Sequence, residues 1–311
     1  RKFTYIFSAA LMIVAGVSLG TKGLQQGVDF VGGRTYQVRF DQPVNSSEIG
    51  SELTKVFGSG TNVKAYGEDN QVIITTSYKV DTEGLEVDDE IQTKLYNSLQ
   101  KLVPSGFSKD AFVNGGTNDA KVGILKSVKV GPTIADDIKK NAVWAILGSL
   151  FVVFLYILLR FRKWQFSLGA VIAVFHDVLI VLGVFSIFGK IMPFNMEIDQ
   201  AFIAAILTVI GYSLNDTVVV FDRIREIVGE KGWKSGENVD LALNSTLSRT
   251  LNTSLTTLVV LLAIFIFGGE SLRGFMFGMI VGVIVGTYSS MFIATPIMFD
   301  TLKKKITGEK E

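Results

Sequence analysis

Asp216 lies in an otherwise apolar stretch, Ala201 to Phe221, within the run Gly-Tyr-Ser-Leu-Asn-Asp-Thr-Val-Val-Val-Phe-Asp-Arg from Gly211 to Arg223. Such a stretch reaches the ~20 apolar residues that a helix needs to cross a bilayer. A carboxylate there loses its water, so it must find a partner, bind a cation or take up a proton. The plain alternative is a structural carboxylate satisfied by Tyr212, Ser213 or Asn215. Arg249 is the natural counter-charge. It precedes another apolar run, on a helix expected to start near Asn244, with Asn252, Thr253, Thr256 and Thr257 continuing its polar face. Asp216 should sit about two turns inside the end of its span, which Asp222 and Arg223 mark, and Arg249 enters from the same side. The bland reading of Arg249 is a side chain snorkelling to the headgroups.

His176 and Asp177 fall near the middle of a third apolar run. Imidazole exchanges protons near neutral pH, which makes the pair a candidate relay. A structural pair bonded to a neighbouring helix is the alternative. Gly274, Gly278, Gly282 and Gly286, followed by Ser290 and Ala294, place a small residue at every fourth position. That stripe lets a helix pack closely against its neighbour. Gly27 to Gly33 is glycine-rich but contains no Gly-Lys-Ser/Thr and precedes no expected helix, so a tight connection accounts for it better than a phosphate loop.

These residues need a frame, and composition supplies its class. The chain has 311 residues, 48% hydrophobic and 19% charged, and its mean hydropathy is +0.40. That balance favours a polytopic membrane protein. Cysteine is absent and His176 is the single histidine, which removes thiol catalysis, disulfides and multi-histidine or cysteine metal sites. No concentrated basic patch for nucleic acid is present. No nucleophile–base pair stands out, so we expect no enzyme.

Six spans are expected, near 3–20, 141–159, 166–188, 199–221, 250–267 and 273–299. Phe3 to Leu19 lacks a small-residue cleavage site and reads as a retained helix. The abrupt start at Arg1 suggests the second half of a longer polypeptide or a trimmed chain. Arg1, Lys2, Arg160, Arg162, Lys163, Arg223, Arg225, Lys231, Lys234 and Lys303 to Lys305 cluster on one side; Lys190 and Arg273 lie on the other. The positive-inside rule then puts both termini in the cytoplasm and a large domain outside. The expected fold is a polytopic α-helical membrane protein with six transmembrane helices and an α+β, ferredoxin-like extracytoplasmic domain after the first helix. Its units are helix 1 (1–21), the domain (22–135), a five-helix bundle (136–302) and a basic tail (303–311).

Within the domain, Tyr36, Val38 and Phe40 alternate as in a strand, whereas Ile49, Leu53, Val56 and Phe57 repeat as in a helix. Val63/Ala65 and Val72/Ile74 alternate around the turn residues Gly67 to Asn70. Ile91, Leu95, Leu99 and Leu102 form a second helical stripe, closed by Pro104, and Val122, Ile124, Val128 and Val130 read as a last strand. The order βαββαβ is that of a split-βαβ sandwich. Asp81 to Glu90 is acidic and reads as a solvated loop and helix start rather than a cation site.

Four stretches then carry a resemblance: Gly27 to Gly33, Gly211 to Glu226, Ser248 to Thr257 and Gly286 to Pro296. Together they resemble the SecF family, the C-terminal half of bacterial SecDF protein-export factors, itself similar to the resistance-nodulation-division superfamily. The likeness covers essentially the whole chain. It implies an auxiliary subunit that uses the proton or sodium motive force to promote preprotein translocation across the bacterial cytoplasmic membrane. Implied partners are a SecD half, fused or separate, the SecYEG channel, unfolded preprotein and the lipid bilayer, with no cofactor. The resemblance matches Asp216 and Arg249 to the family's proton-relay Asp and Arg. That family also uses an Asp in the SecD half, so this chain should hold an incomplete path. A small-molecule efflux pump and a non-conducting scaffold are the competing expectations.

Overall fold

Apolar runs this long can satisfy their backbone inside hydrocarbon only as helices, and the described residues of the computed structural model include six helices long and apolar enough to cross a membrane. It describes residues 2–58, 60–82, 84–115, 121–189, 191–192, 194–231 and 236–307. Arg1, Lys190 and Lys234, counted above in the charge asymmetry, and residues 308–311 of the expected tail lie outside these.

The first helix, α1 (Lys2–Lys22), leads through a one-turn helix, α2 (Val28–Val31), into strand β1 (Gly33–Arg39). The glycine-rich connection therefore does contain a short helix. Helix α3 (Ser46–Phe57) follows, its N-terminus capped by the Asn45 side chain, which accepts from the Ser47 N–H. Strands β2 (Thr61–Tyr66) and β3 (Glu68–Thr76) form a hairpin around Gly67, whose φ of +74° suits glycine. The turn is tighter than the four residues expected. Helix α4 (Leu85–Leu99), a short helix α5 (Lys109–Val113) and strand β4 (Gly123–Val130) complete the domain.

The sheet order is β2-β3-β1-β4 with every neighbour antiparallel, the topology of a split-βαβ sandwich. Tyr36, Val38, Phe40, Val72 and Ile74 cluster in one core with Ile49, Leu53, Ile91 and Leu95 of α3 and α4. Two expectations shift. Leu102 leaves the α4 stripe because the helix tightens to a 3₁₀ turn at Gln100–Leu102, which leaves it 37% exposed. A bulge between Gln37 and Val38 against β4 changes the phase of that strand. Val128, paired with Thr35, is thereby turned to the face opposite Ile124. The acidic start of α4 is met by cations: Asp88 bonds Arg34 and Lys129, Asp89 bonds Lys109, and Glu90 bonds Lys79 and Lys94.

The remaining spans are α6 (Pro132–Phe161), α7 (Trp164–Phe188), α8 (Gln200–Lys231), α9 (Gly236–Phe267) and α10 (Glu270–Ser289), which runs through a π-helical segment, Ser290–Ala294, into α11 (Thr295–Thr307). Hydropathy marks apolar cores, not helix ends, so α6 begins at Pro132 rather than 141 and α9 at Gly236 rather than near Asn244. The π segment was not foreseen. There the Thr295 hydroxyl donates to the Ser290 carbonyl at 3.1 Å. The central core joins α7, α8 and the π segment through residues such as Phe166, Val181, Phe221, Ile224 and Met291.

Candidate functional site: two carboxylates inside the helix bundle

Asp177 on α7 is fully buried, as its place among Ala173, Val174 and Val181 dictates. Its Oδ1 faces His176 Nδ1 at 3.1 Å. Its Oδ2 accepts from Ser213 Oγ of α8 at 2.6 Å and from Ser289 Oγ of α10 at 2.7 Å. A buried carboxylate with its oxygens occupied by three groups from three helices is well compensated. The other ring nitrogen of His176, Nε2, is buried without a partner among the described residues.

Asp216 on α8, one turn beyond Ser213, is 3% exposed and much less well served. Its hydrogen-bond partner among the described residues is Ser254 of α9, whose Oγ donates to Oδ2 across a long 3.5 Å. Ser254 in turn shares a 2.6 Å bond with Thr287 of α10 and receives one from the Tyr212 hydroxyl at 3.3 Å. The three residues expected to satisfy Asp216 therefore do other things. Ser213 serves Asp177, Tyr212 serves Ser254, and Asn215 faces outward.

Arg249 forms no ion pair with Asp216, although it lies within its electrostatic reach. Its side chain borders a cleft with Arg160, Arg223, Arg225, Asp222 and Glu226, at the end of the bundle away from the α+β domain. Of the polar face read from sequence, Asn252, Thr253 and Thr256 are exposed on the bundle surface, and Thr257 is half-buried. The inward face of α9 is a second stripe, Thr246, Thr250 and Ser254, all buried. Ser254, Thr287 and Ser289 were not singled out from sequence. The four-residue spacing of Thr246, Thr250 and Ser254 was the available signal.

The glycines of α10 set how closely these helices approach. A Cβ at Gly286 would lie 3.0 Å from Ser213 Cβ, and one at Gly282 would overlap the Val209 methyls. A Cβ at Gly278 would meet Phe185 at an ordinary 3.5 Å, while one at Gly274 would strike the Asn195 carbonyl. Gly282 and Gly286 thus admit α8, and with it the Ser213 that serves Asp177.

Comparison with known protein families gives two matches. The model of the C-terminal part of the protein-export membrane proteins SecD and SecF matches residues 113–304, and the SecD/SecF GG motif matches residues 17–44. The protein translocase subunit SecF of Rhodothermus marinus is 44% identical over 301 residues, 96% of this chain and 91% of that protein. The chain belongs to the SecF family.

The SecF of Haemophilus influenzae is 36% identical over 96% of this chain and 84% of its own length. Among solved structures, SecDF of Thermus thermophilus, described as a translocon-associated membrane protein, superposes with a TM-score of 0.77 at 31% identity. That likeness covers 96% of this chain but 38% of the SecDF chain. A SecDF crystallised in a super-membrane-facing form gives a TM-score of 0.64 at 30% identity. The chain is thus a membrane protein of the Sec export system, and its relatives are named as translocase subunits.

Proposed function

We propose that the chain couples the proton or sodium motive force to preprotein translocation, with Asp216 as the group that takes up and releases the ion. One observation carries this reading: among the described residues Asp216 is buried with a single long hydrogen bond, whereas Asp177 nearby has three partners. A carboxylate kept in an apolar bundle without a full set of donors is free to change its protonation state. Asp177, which His176 faces, holds Ser213 one turn from Asp216 and lends the path a second carboxylate.

The exposed polar surface of the bundle supports a SecD half as partner. Asn215 of α8 and Arg249 and Asn252 of α9 face outward. Polar groups at that depth are costly against lipid and are met elsewhere by packing against protein. A SecD half seated there would complete the path with its own acidic residue. The termini then lie in the cytoplasm and the α+β domain outside, next to the SecYEG channel and the emerging unfolded chain. An efflux pump would need a largely apolar, drug-sized pocket. The cavity of about 310 Å³ between domain and bundle is lined by Asp29, Lys126, Glu197 and Asp199 among others and is not a pocket of that kind.

Asp216→Asn tests the reading. The variant should insert and assemble with its SecD half yet give no force-driven stimulation of export. Wild-type export from a normally accumulated variant would overturn the relay.

A further inference from the structure

Asp216 ends a file of hydroxyls that reaches across three helices. Its Oδ2 lies 3.5 Å from Ser254 Oγ of α9, and Ser254 Oγ lies 2.6 Å from Thr287 Oγ1 of α10. Thr287 Oγ1 in turn lies 2.7 Å from the Val283 carbonyl, one turn back on its own helix. All three side chains are buried. The glycine stripe of α10 allows this approach, since a Cβ on Gly286 would already crowd Ser213 of α8. Buried polar groups need partners, so the file must satisfy itself from its own hydrogens.

Those hydrogens can be counted. A hydroxyl carries one hydrogen and accepts at two lone pairs, whereas an ionised carboxylate only accepts. With Asp216 ionised, the contacts Asp216–Ser254, Ser254–Thr287 and Thr287–Val283 share two hydrogens, so one contact is always unmade. Tyr212 donates its own hydrogen to Ser254 at 3.3 Å and leaves the count as it is. A proton on Asp216 Oδ2 supplies the third hydrogen. The carboxyl then donates to Ser254, Ser254 to Thr287, and Thr287 to the Val283 carbonyl. Each hydroxyl turns about its Cβ–O bond and keeps its own hydrogen. Ser254 is saturated in that state: its lone pairs take Tyr212 and Asp216, and its hydrogen goes to Thr287. Either oxygen of the Ser254–Thr287 bond can be the donor, as this rearrangement requires.

Asp177 is built the opposite way. Ser213 and Ser289 both bring hydrogens to its Oδ2, so the charged form is already served and a proton on that oxygen would displace a donor.

We infer that Ser254 and Thr287 are positioning residues for Asp216: their hydroxyls form a chain that is one hydrogen short while Asp216 is charged and complete once it holds a proton. The inference rests on the reading of Asp216 as the group that binds the ion. It requires that ion to be a proton, because a metal cation brings no hydrogen to the chain.

Dicyclohexylcarbodiimide reacts with protonated carboxyls from within the bilayer. Its rate of reaction at Asp216, read by mass spectrometry of the digested chain, reports the protonated fraction in the complex with a SecD half in proteoliposomes. Thr287→Val keeps the side-chain shape and removes the hydroxyl. Asp216 and Ser254 then share one contact, which a charged Asp216 fills and a protonated one overfills by a hydrogen. On the alkaline limb of the parent's labelling curve the rate should therefore drop about fivefold or more, the effect of one orphaned buried donor. Lowering the pH by about one to two units should restore it. Thr287→Ser, which returns the hydroxyl, should label like the parent. So should Thr208→Val, which removes a hydroxyl of α8 that donates to the Ala204 carbonyl outside the file. The other titratable groups around Asp216 are the same in every variant: Arg249 on α9, Asp177 with His176 on α7, and Tyr212 on α8. Thr287→Ala serves as the second variant if Thr287→Val fails to accumulate. Unchanged labelling of the variant without the hydroxyl, or a loss that acid does not reverse, would overturn the chain while leaving the relay standing. An Asp216 that labels at no pH, or that sodium ions protect at constant pH, would remove the proton from Asp216 and the chain with it.

Discussion

Gly278 and Gly282 lie one turn apart on α10, share one sequence pattern, and should respond oppositely to a single methyl group. At Gly282 the new Cβ would overlap both methyls of Val209. Val209 is 1% exposed, and a β-branched side chain in a helix has essentially one χ1 rotamer, so it cannot swing aside. Inserting a methyl group into such a contact costs about 1–3 kcal/mol. Replacing a helical glycine by alanine returns ~1 kcal/mol of helix propensity, so Gly282→Ala should lose up to ~2 kcal/mol net. At Gly278 the Cβ meets Phe185 at 3.5 Å, an ordinary contact. There the propensity term stands alone, and Gly278→Ala should be neutral or gain up to ~1 kcal/mol.

Trimming the obstacle should rescue the first variant: Gly282→Ala/Val209→Ala should be more stable than the two single losses predict, by at least ~0.5 kcal/mol. The assay is denaturant unfolding of the purified chain in detergent, four proteins per cycle. Equal stability of Gly278→Ala and Gly282→Ala, or strict additivity with Val209→Ala, would refute this account of the α8–α10 contact.

Two further outcomes follow from polar contacts. Ser213→Ala and Ser289→Ala each remove a donor to Asp177 and should cost ~1–3 kcal/mol by unfolding midpoint; the double variant, which strips Oδ2 of both, should cost more than the sum, and additivity would show that the donors do not share that oxygen. In the domain, hydrogen bonds from Lys79 and Lys94 hold the Glu90 carboxyl down to about 2, from an ordinary 4.5. Because the folded value is the lower one, the stabilisation is present above the unfolded value and lost as pH falls through the folded one. Thermal melts between pH 4.5 and 2 should therefore fall less steeply for Glu90→Gln than for the parent chain, and parallel curves would exclude the contribution.

Much of this architecture was legible because apolar length and periodicity respond to burial alone. The six spans, the two amphipathic helices at Ile49 and Ile91, and the strand order βαββαβ all rest on that signal. What escaped depends on which of two polar faces turns inward. On α9, Asn252, Thr253 and Thr256 outweigh Thr250 and Ser254 by composition, yet the hydroxyls of Thr253 and Thr256 satisfy themselves on their own helix carbonyls. Small hydroxyl residues fit a buried helix contact, and the larger amide of Asn252 does not. Asp216 was legible as a buried charge, but its partner was not, since opposite charge says nothing about where a flexible arginine points. The bulge that turns Val128 outward adds one residue to an apolar strand and leaves no mark in composition.

The π-helical segment at Ser290–Ala294 means that one hydrophobic run encodes two rods. An extra residue per turn advances everything downstream by about 100° relative to an uninterrupted helix. A stripe at every fourth position drifts by about 40° per step on an α-helix, and this offset brings it back: Ser290, Ala294, Met298 and Leu302, which continue the spacing of Gly274 to Gly286, are all buried. Each rod can be re-cut by substitution without turning the other. Deleting one residue inside the segment, by contrast, would act as a twist. It would swing Asp300 away from the Tyr5 hydroxyl, 3.0 Å distant, and present the far end of the sixth span to α1 by the wrong side.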